Sequence, residues 1–353
     1  MPFTTAEVQK AGKAGLDFYL KNNPIDQVAQ DKPLLAHLQK SKKAFPGAKE
    51  YIIEQLRTKY DSNGVWYSGS GDGVIGYNER DSLEQAKYAW YQYHDGMKIS
   101  EAELRQNGIE VSDNVKPKSA SEAEKIQLTN LWTERCEILH LGAQEKFDQA
   151  LHLNGSGNTS QIVGLDGLLG TTSATGVVGG IDRATNAYWR HYTDLTLTVP
   201  TILVKMEKAW RECIRRGGKP DFILAGQDFI DAYMAAVTTS TAAGGIQRTM
   251  TAVKGGNDMD GAVSGVYYKG VEIKWDPSFD DDIAGLDTPT VPWSKRCYML
   301  TSKHIKLRPA SGADFITRNP ERGREAYAVY TAVQWIGGLT MSQSNSHAVL
   351  AVA

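Results

Sequence analysis

Gly164-Leu165-Asp166-Gly167-Leu168, then Thr175-Gly176-Val177-Val178-Gly179-Gly180-Ile181-Asp182-Arg183, then Tyr188-Trp189-Arg190: the fold turns on this run near the middle of the chain. It lies in and just beyond a glycine- and Ser/Thr-rich region, 154–180, which reads as a loop or a short, bent set of strands. A strand is expected after it, near Tyr188–Leu197. Before it, 119–153 reads as the clearest helix. Ser121-x-x-Glu124 is a capping box. Ile126, Leu128, Leu131, Trp132, Ile138, Leu139, Phe147, Ala150 and Leu151 recur at helical spacing, and Asn154-Gly155 stops the run. Such a helix is about 50 Å long at 1.5 Å per residue. Heptads are not sustained, so a free coiled coil is not expected.

Downstream, 200–237 reads as a compact α/β unit. Pro200 opens a helix whose apolar stripe is Ile202, Leu203, Met206, Trp210, Cys213 and Ile214, and Gly217-Gly218 closes it. Phe222-Ile223-Leu224-Ala225 is a buried strand, and Gln227 to Val237 a second helix. From 263 onward strands are expected at Gly265–Trp275, Arg296–Leu300, Ile305–Arg308, Tyr327–Ile336 and Leu339–Val352. Upstream, Gly64-Val65-Trp66-Tyr67-Ser68 and Val74-Ile75-Gly76-Tyr77 read as a hairpin around the turn Gly69-Ser70-Gly71-Asp72-Gly73. Lys87 to Ile99 adds Tyr88, Trp90, Tyr91 and Tyr93. A two-stranded ribbon this rich in aromatic residues needs a covering surface. Residues 1–60 form a lysine-rich arm with ten basic and six acidic residues. Helices are expected there at Val28–Lys42 and Lys49–Tyr60, between prolines.

Composition excludes several classes of function. The 353 residues carry 39 Lys+Arg and 41 Asp+Glu, a formal charge of -2, so the chain as a whole does not grip nucleic acid or an anionic membrane by charge. Hydrophobic content of 41% and charged content of 23% are those of a folded protein. Cys136, Cys213 and Cys297 are widely separated, with no CxxC pair, and are expected to be reduced thiols. The N-terminus lacks signal-peptide features, and no apolar run approaches a membrane span, so folding in a reducing cytoplasm is expected.

No catalytic constellation emerges. Gly71-Asp-Gly73-Val-Ile-Gly76 fits GxGxxG, yet no second parallel strand completes a βαβ unit, and a hairpin turn is the better reading. There is no P-loop, G-x-S-x-G or H-E-x-x-H. His37, His94, His140, His152, His191, His304 and His347 lack metal-ligand spacing and read as ordinary surface or core histidines. The acidic loops Asn257–Gly261 and Asp280–Asp282 read as solvated faces, although such density could hold calcium. No cofactor is expected.

The order of parts resembles the major capsid proteins of tailed bacteriophages with the Hong Kong 97-type fold. Three stretches carry the resemblance: Asn78-Glu79-Arg80-Asp81-Ser82-Leu83-Glu84-Gln85-Ala86-Lys87-Tyr88-Ala89-Trp90, the helix from Leu128 to His152, and the run that opens this section. It implies an α+β fold with an N-terminal arm (1–57), an extended loop (58–100) and a peripheral domain (101–195) holding the spine helix. It further implies an axial α/β domain (196–295) and C-terminal strands (296–353) returning to the peripheral domain. In that family axial domains meet at five- and six-fold axes, and the extended loop lies over an adjacent subunit. The implied partners are identical subunits in pentamers and hexamers, with portal, scaffold and decoration proteins possible besides. Packaged double-stranded DNA is contacted weakly and non-specifically, and no membrane is involved. The contact residues expected are Trp66, Arg80, Tyr88 and Trp90. Some members of the family cross-link a lysine of the extended loop; Lys87 and Lys98 lie there, but no motif carries that chemistry over.

Three other readings compete. A bacterial nanocompartment shell of the same fold would enclose protein. An enzyme would use the glycine loops at 69–76 or 155–180 for a phosphate ligand. A β-rich tail or adhesion protein fits poorly with one long internal helix.

Overall fold

The computed structural model describes residues 30–47, 50–60, 62–67, 77, 79, 82–106, 122–158, 160–242, 266–280, 289–318, 321–322 and 327–353, with the backbone alone at 122–131, 238–242 and 321–322. In chain order the first elements are α1 (Pro33–Lys40), β1 (Ile52–Arg57), β2 (Leu83–Tyr88), β3 (Tyr91–Ser100), α2 (Glu101–Gln106), α3 (Glu122–His152) and α4 (Leu165–Leu168). Next come β4 (Val177–Val178), β5 (Ile181–Asp182), β6 (Tyr192–Leu197), α5 (Ile202–Arg215), β7 (Phe222–Ala225) and α6 (Gln227–Ala242). The last are β8 (Val266–Tyr268), β9 (Val271–Trp275), β10 (Arg296–Leu300), β11 (Ile305–Pro309), β12 (Ile316–Thr317), β13 (Glu321–Arg322), β14 (Ala328–Met341) and β15 (Ala348–Val352).

The chain divides into two units. The described part of the smaller one lies mainly in Gln92–Asp148 and Ala310–Ile336; the larger comprises Lys32–Tyr91, Gln149–Pro309 and Gly337–Ala353.

The larger unit is built on a six-stranded sheet in the order β6-β15-β10-β7-β9-β8. The β15–β6 and β7–β9 pairs are parallel and the other three antiparallel. Every residue of β7 and β10 is buried, which is why Phe222-Ile223-Leu224-Ala225 and Arg296-Cys297-Tyr298-Met299-Leu300 do not alternate polar and apolar. On α5 the buried positions Ile202, Met206, Ala209, Trp210 and Cys213 form one stripe; they join Phe229, Tyr233 and Val237 of α6 and Ile223, Met299 and Leu350 of the sheet in one core. Gly217 takes the left-handed conformation that ends α5, and the Gly218 amide donates back to the Cys213 carbonyl at 3.2 Å.

The glycine-rich run packs into this unit for reasons visible residue by residue. A β-carbon on Gly164 would lie 2.4 Å from the Leu151 carbonyl oxygen, and one on Gly167 2.8 Å from that of Asn154. Only glycine lets α4 sit on the end of α3. Gly179 and Gly180, both at positive φ (62° and 79°), make the two-residue turn between β4 and β5. The Trp189 indole donates to the Val178 carbonyl at 3.0 Å, and Arg183 donates to the Leu168 carbonyl. Arg190 closes the knot on the carbonyls of Arg183 and Ala184.

In the smaller unit, β3, β12 and β13 pair with the first part of β14. Phe147 of α3 is buried among Tyr93, Phe315 and Trp335, with ring centroids 4.5–6.0 Å apart. Phe315 holds a left-handed backbone (φ 48°), a conformation costing roughly 1–2 kcal/mol that ring contacts with Phe147 and Trp335 offset. Ile99 and Leu104 pack with Trp132.

The structure corrects several sequence expectations. Lys49–Tyr60 is not a helix: Ile52–Arg57 is a strand, because Ile52 and Leu56 alternate onto one buried face opposite β2. Val65–Tyr67 is not a strand, and the hairpin legs are β1 and β2 instead. The Gly69–Gly76 segment lies outside the described residues. Tyr188 and Trp189 fall in a 3-10 turn, so the strand there begins at Tyr192. No break separates Tyr327–Ile336 from Leu339: β14 continues through Gly337-Gly338, where a β-carbon at 338 would lie 2.7 Å from the Ala89 carbonyl oxygen. The C-terminal strands are divided by pairing. β10 and β15 join the six-stranded sheet, whereas β11 pairs with the end of β14. The first helix is shorter than expected, opening on Pro33 at its first turn.

Candidate subunit-contact surface

The β1–β2 ribbon has two faces set by its period of two. Register pairs Ile52 with Tyr88, Glu54 with Ala86 and Leu56 with Glu84. This face carries the buried residues Ile52, Leu56, Ala86 and Tyr88. Its root is held by long-range contacts. Tyr88 is buried, and its hydroxyl donates to the Met341 carbonyl at 2.7 Å. Glu54 pairs with Arg308 and accepts from the Thr340 hydroxyl at 3.2 Å. Glu84 accepts from the Tyr188 hydroxyl. The Lys87 amide donates to the Gly179 carbonyl at 2.8 Å, and a β-carbon on Gly179 would lie 3.1 Å from both Ala86 and the Tyr88 ring. Desolvation raises the pKa of Tyr88, and desolvation together with Glu84 raises that of Tyr188, so both hydroxyls stay protonated donors.

Beyond the root the character reverses. After the rung from the Thr58 amide to the Ser82 carbonyl (2.9 Å), Tyr60, Trp66 and Tyr77 are 89%, 99% and 88% exposed. Val65, Tyr67 and Leu83 are exposed as well. Six large apolar side chains, on described residues between β1 and β2 and at the first position of β2, are therefore exposed to water. On α3, Ile138 and Leu141 are exposed beside the buried series Leu139, Ala143 and Phe147.

Of the four residues expected at contacts, Trp66 lies on this exposed segment. Trp90 is half-buried where the chain crosses Gly338, its Cα 3.7 Å from where a β-carbon there would stand. Arg80 lies outside the described residues. Tyr88 requires correction. Its ring is in the subunit's own interior because its position in β2 points inward, and its hydroxyl is satisfied there.

Sequence reading missed the buried charge pairs. Arg296 donates to Asp166 at 2.7 Å, and His152 is 2.7 Å from Asp276. Asp166 stands in the glycine-rich run Gly164–Leu168, but nothing in the sequence around Arg296 marks it as the partner. Asp148-x-x-x-His152 puts two polar residues on one face of α3, but nothing in the sequence marks Asp276 as the partner of His152. The direct His152–Asp276 contact joins the end of α3 to the segment after β9. The acidic loop 257–261 and residues 281–282 lie outside the described residues.

The glycines of 155–180 offer no cradle at Gly164 and Gly167, where backbone carbonyl oxygens fill the space a ligand would need and would repel an anion. A cavity of roughly 140 Å³ lies at the ribbon root, lined by Tyr88, Val163, Leu168, Val177 and Leu339, with Lys87 at its side. It brings together no nucleophile and base. Cys213 and Cys297 are buried and Cys136 half-buried; burial pushes the Cys213 thiol up to about 12, leaving it inert. No helix among the described residues is long and apolar enough to cross a membrane.

No protein-family model matches the sequence, and no curated protein matches it. Solved structures do. A chain of the cyanophage A-1(L) capsid asymmetric unit matches with a TM-score of 0.61 at 15% identity, over 94% of this chain and 96% of that one. The capsid of Myoviridae phage XM1 matches at 0.50 and 12% identity, over 95% and 98%. The capsid of a native GTA particle matches at 0.51 and 12% identity, over 95% and 96%. The chain has the fold of these capsid proteins, the Hong Kong 97-type fold that the sequence suggested.

Proposed function

We propose that this chain is a major capsid protein, whose identical copies tile the icosahedral head of a tailed phage around double-stranded DNA. The observation that carries the reading is the rooted ribbon with its exposed Tyr60, Trp66, Tyr67 and Tyr77. Covering each such side chain is worth about 1.5–3 kcal/mol, and a neighbouring copy supplies the cover. The fold shared with capsid chains over nearly the whole length supports it.

In this reading 58–100 is the extended loop, with Trp66, Arg80 and Trp90 as contact residues. Residues 1–57 are the arm. Residues 101–195 are the peripheral domain, and 196–295 the axial domain that meets its copies in pentamers and hexamers. The role is structural, without catalysis. Portal, scaffold and decoration proteins would be further partners, and the near-neutral chain would touch DNA weakly.

Electron microscopy of the purified chain tests this. Closed round shells are expected. A lone molecule at every concentration and salt would overturn the proposal, and shells filled with protein cargo would replace the phage reading with a nanocompartment.

A further inference from the structure

The turn between β14 and β15, residues 342–347, is a junction within the larger unit. The Gln343 side-chain amide donates to the Arg216 carbonyl at the end of α5 (2.8 Å). That of Asn345 donates to the Tyr188 carbonyl (3.0 Å). The Thr301 hydroxyl donates to the Ser346 carbonyl (3.0 Å), and the Tyr192 amide to the His347 carbonyl (3.2 Å). Ser344, Ser346 and His347 are buried. A β-carbon on Gly218 would lie 2.5 Å from that of Ser346, so the turn is seated tightly.

His347 occupies the centre of this junction in one protonation state. Its Nδ1 accepts the Thr301 backbone N–H at 3.2 Å. A proton on Nδ1 would set N–H against N–H in a buried place and cost the bond outright. The Gln343 carbonyl favours a ring proton, but among the described residues no counter-charge is set against it. His304 faces it from the 301–306 segment, flanked by Lys303 and Lys306; His191 faces it from before β6, with Arg183 beyond. Asp221, from before β7, is engaged by the Ser302 amide at 2.8 Å.

We propose that the 342–347 turn is an acid-released latch, with His347 as its trigger. Burial, with His304 and His191 nearby, holds the closed-state ring neutral down to about 3. Once the turn opens, the ring reaches water and takes a proton near the ordinary histidine value of roughly 6.5. Below that pH each proton taken up favours the open form. Opening frees the Tyr188 carbonyl and the end of α5. Tyr188 in turn holds Glu84, so the release passes to the ribbon root. The latch is a property of the folded chain and stands whether or not the chain forms shells.

Amide hydrogen exchange on the full chain between pH 7.5 and 4.5, corrected for intrinsic rates, tests it. The Thr301 and Tyr192 amides are expected to lose protection by about tenfold per pH unit below roughly 6.5 through local opening, while Ile223 in the central strand, which opens only with the whole fold, stays the better protected at every pH. His347→Asn, which retains an acceptor near Nδ1 but does not titrate, is expected to abolish that dependence. Protection that persists in the wild type to pH 4.5, or an unchanged pH profile in H347N, overturns the latch. Should H347N fail to fold, NMR of the wild-type ring decides. Ring protonation in step with loss of the Thr301 amide supports the proposal, and a ring still neutral as the amide opens defeats it.

Discussion

Arg296 of β10 donates to the carboxylate of Asp166, 130 positions earlier in the chain, at 2.7 Å, and the guanidinium also lies 4.0 Å over the Trp293 ring. The arginine is 1% exposed and further bonded to the Val291 carbonyl and the Tyr298 hydroxyl. This pair joins the glycine-rich run to the centre of the six-stranded sheet. Removing one partner strands a buried charge, which typically costs about 3–5 kcal/mol, whereas replacing both by apolar groups costs far less. Asp166→Ala is expected to lower the unfolding free energy measured in urea by that amount, and Asp166→Ala with Arg296→Met to recover much of it. A double variant as unstable as the single one would show that the pair is not the cause.

Gly164→Ala tests the seating of α4 on the end of α3. The added carbon meets backbone carbonyls at 2.4–2.5 Å, which have no side-chain freedom with which to yield. A cost of about 1–3 kcal/mol or more is expected in chemical denaturation. Gly157→Ala, where a β-carbon meets nothing within 4 Å, serves as the control. Equal stabilities for the two variants would contradict the packing described.

Trp66→Ala separates folding from assembly. The side chain is 99% exposed, so monomer stability is expected to stay within about 0.5 kcal/mol while shell yield collapses. Tyr88→Phe should do the reverse. It loses the bond to Met341, costing about 1 kcal/mol of stability, and leaves the exposed segment intact. Normal particles from W66A would remove Trp66 from the contact.

His191 makes folding stability depend on pH in a definite direction. Its Nε2 donates to the Gly170 carbonyl at 2.8 Å, and burial, reinforced by Arg183, pushes its pKa down to about 3. An unfolded histidine binds its proton near roughly 6.5. Between those values the unfolded chain holds the extra proton. Stability is therefore complete above about pH 6.5 and falls as the pH drops, by at most about 1.4 kcal/mol per unit for this one group. Urea midpoints at pH 7.5, 6 and 5 should fall less steeply for His191→Gln, whose amide can still reach Gly170. Parallel curves would exonerate His191.

Helices and core strands with strong local patterns were legible in the sequence. The α5 stripe from Ile202 to Cys213, its Gly217 stop, and the runs Phe222–Ala225 and Arg296–Leu300 appear where expected. Those segments carry their own burial code. Ile52–Arg57 does not: six residues with two buried positions fit either period, and the pairing that decides comes from Leu83–Tyr88, across a long connection. Tyr88 and Trp66 look alike in sequence, yet the register of β2 turns Tyr88 inward while Trp66 lies outside any strand and is exposed. The ion pairs Asp166–Arg296 and Glu54–Arg308 span 130 and 254 positions, and no local pattern encodes a partner at that distance.

The ribbon root also sets a path for mechanical load. Glu54, Glu84 and Tyr88 are fastened to Arg308, Tyr188 and Met341, three pieces of chain far apart in order. Tension applied at Trp66 would therefore meet the rung between Thr58 and Ser82 before it reaches these three struts.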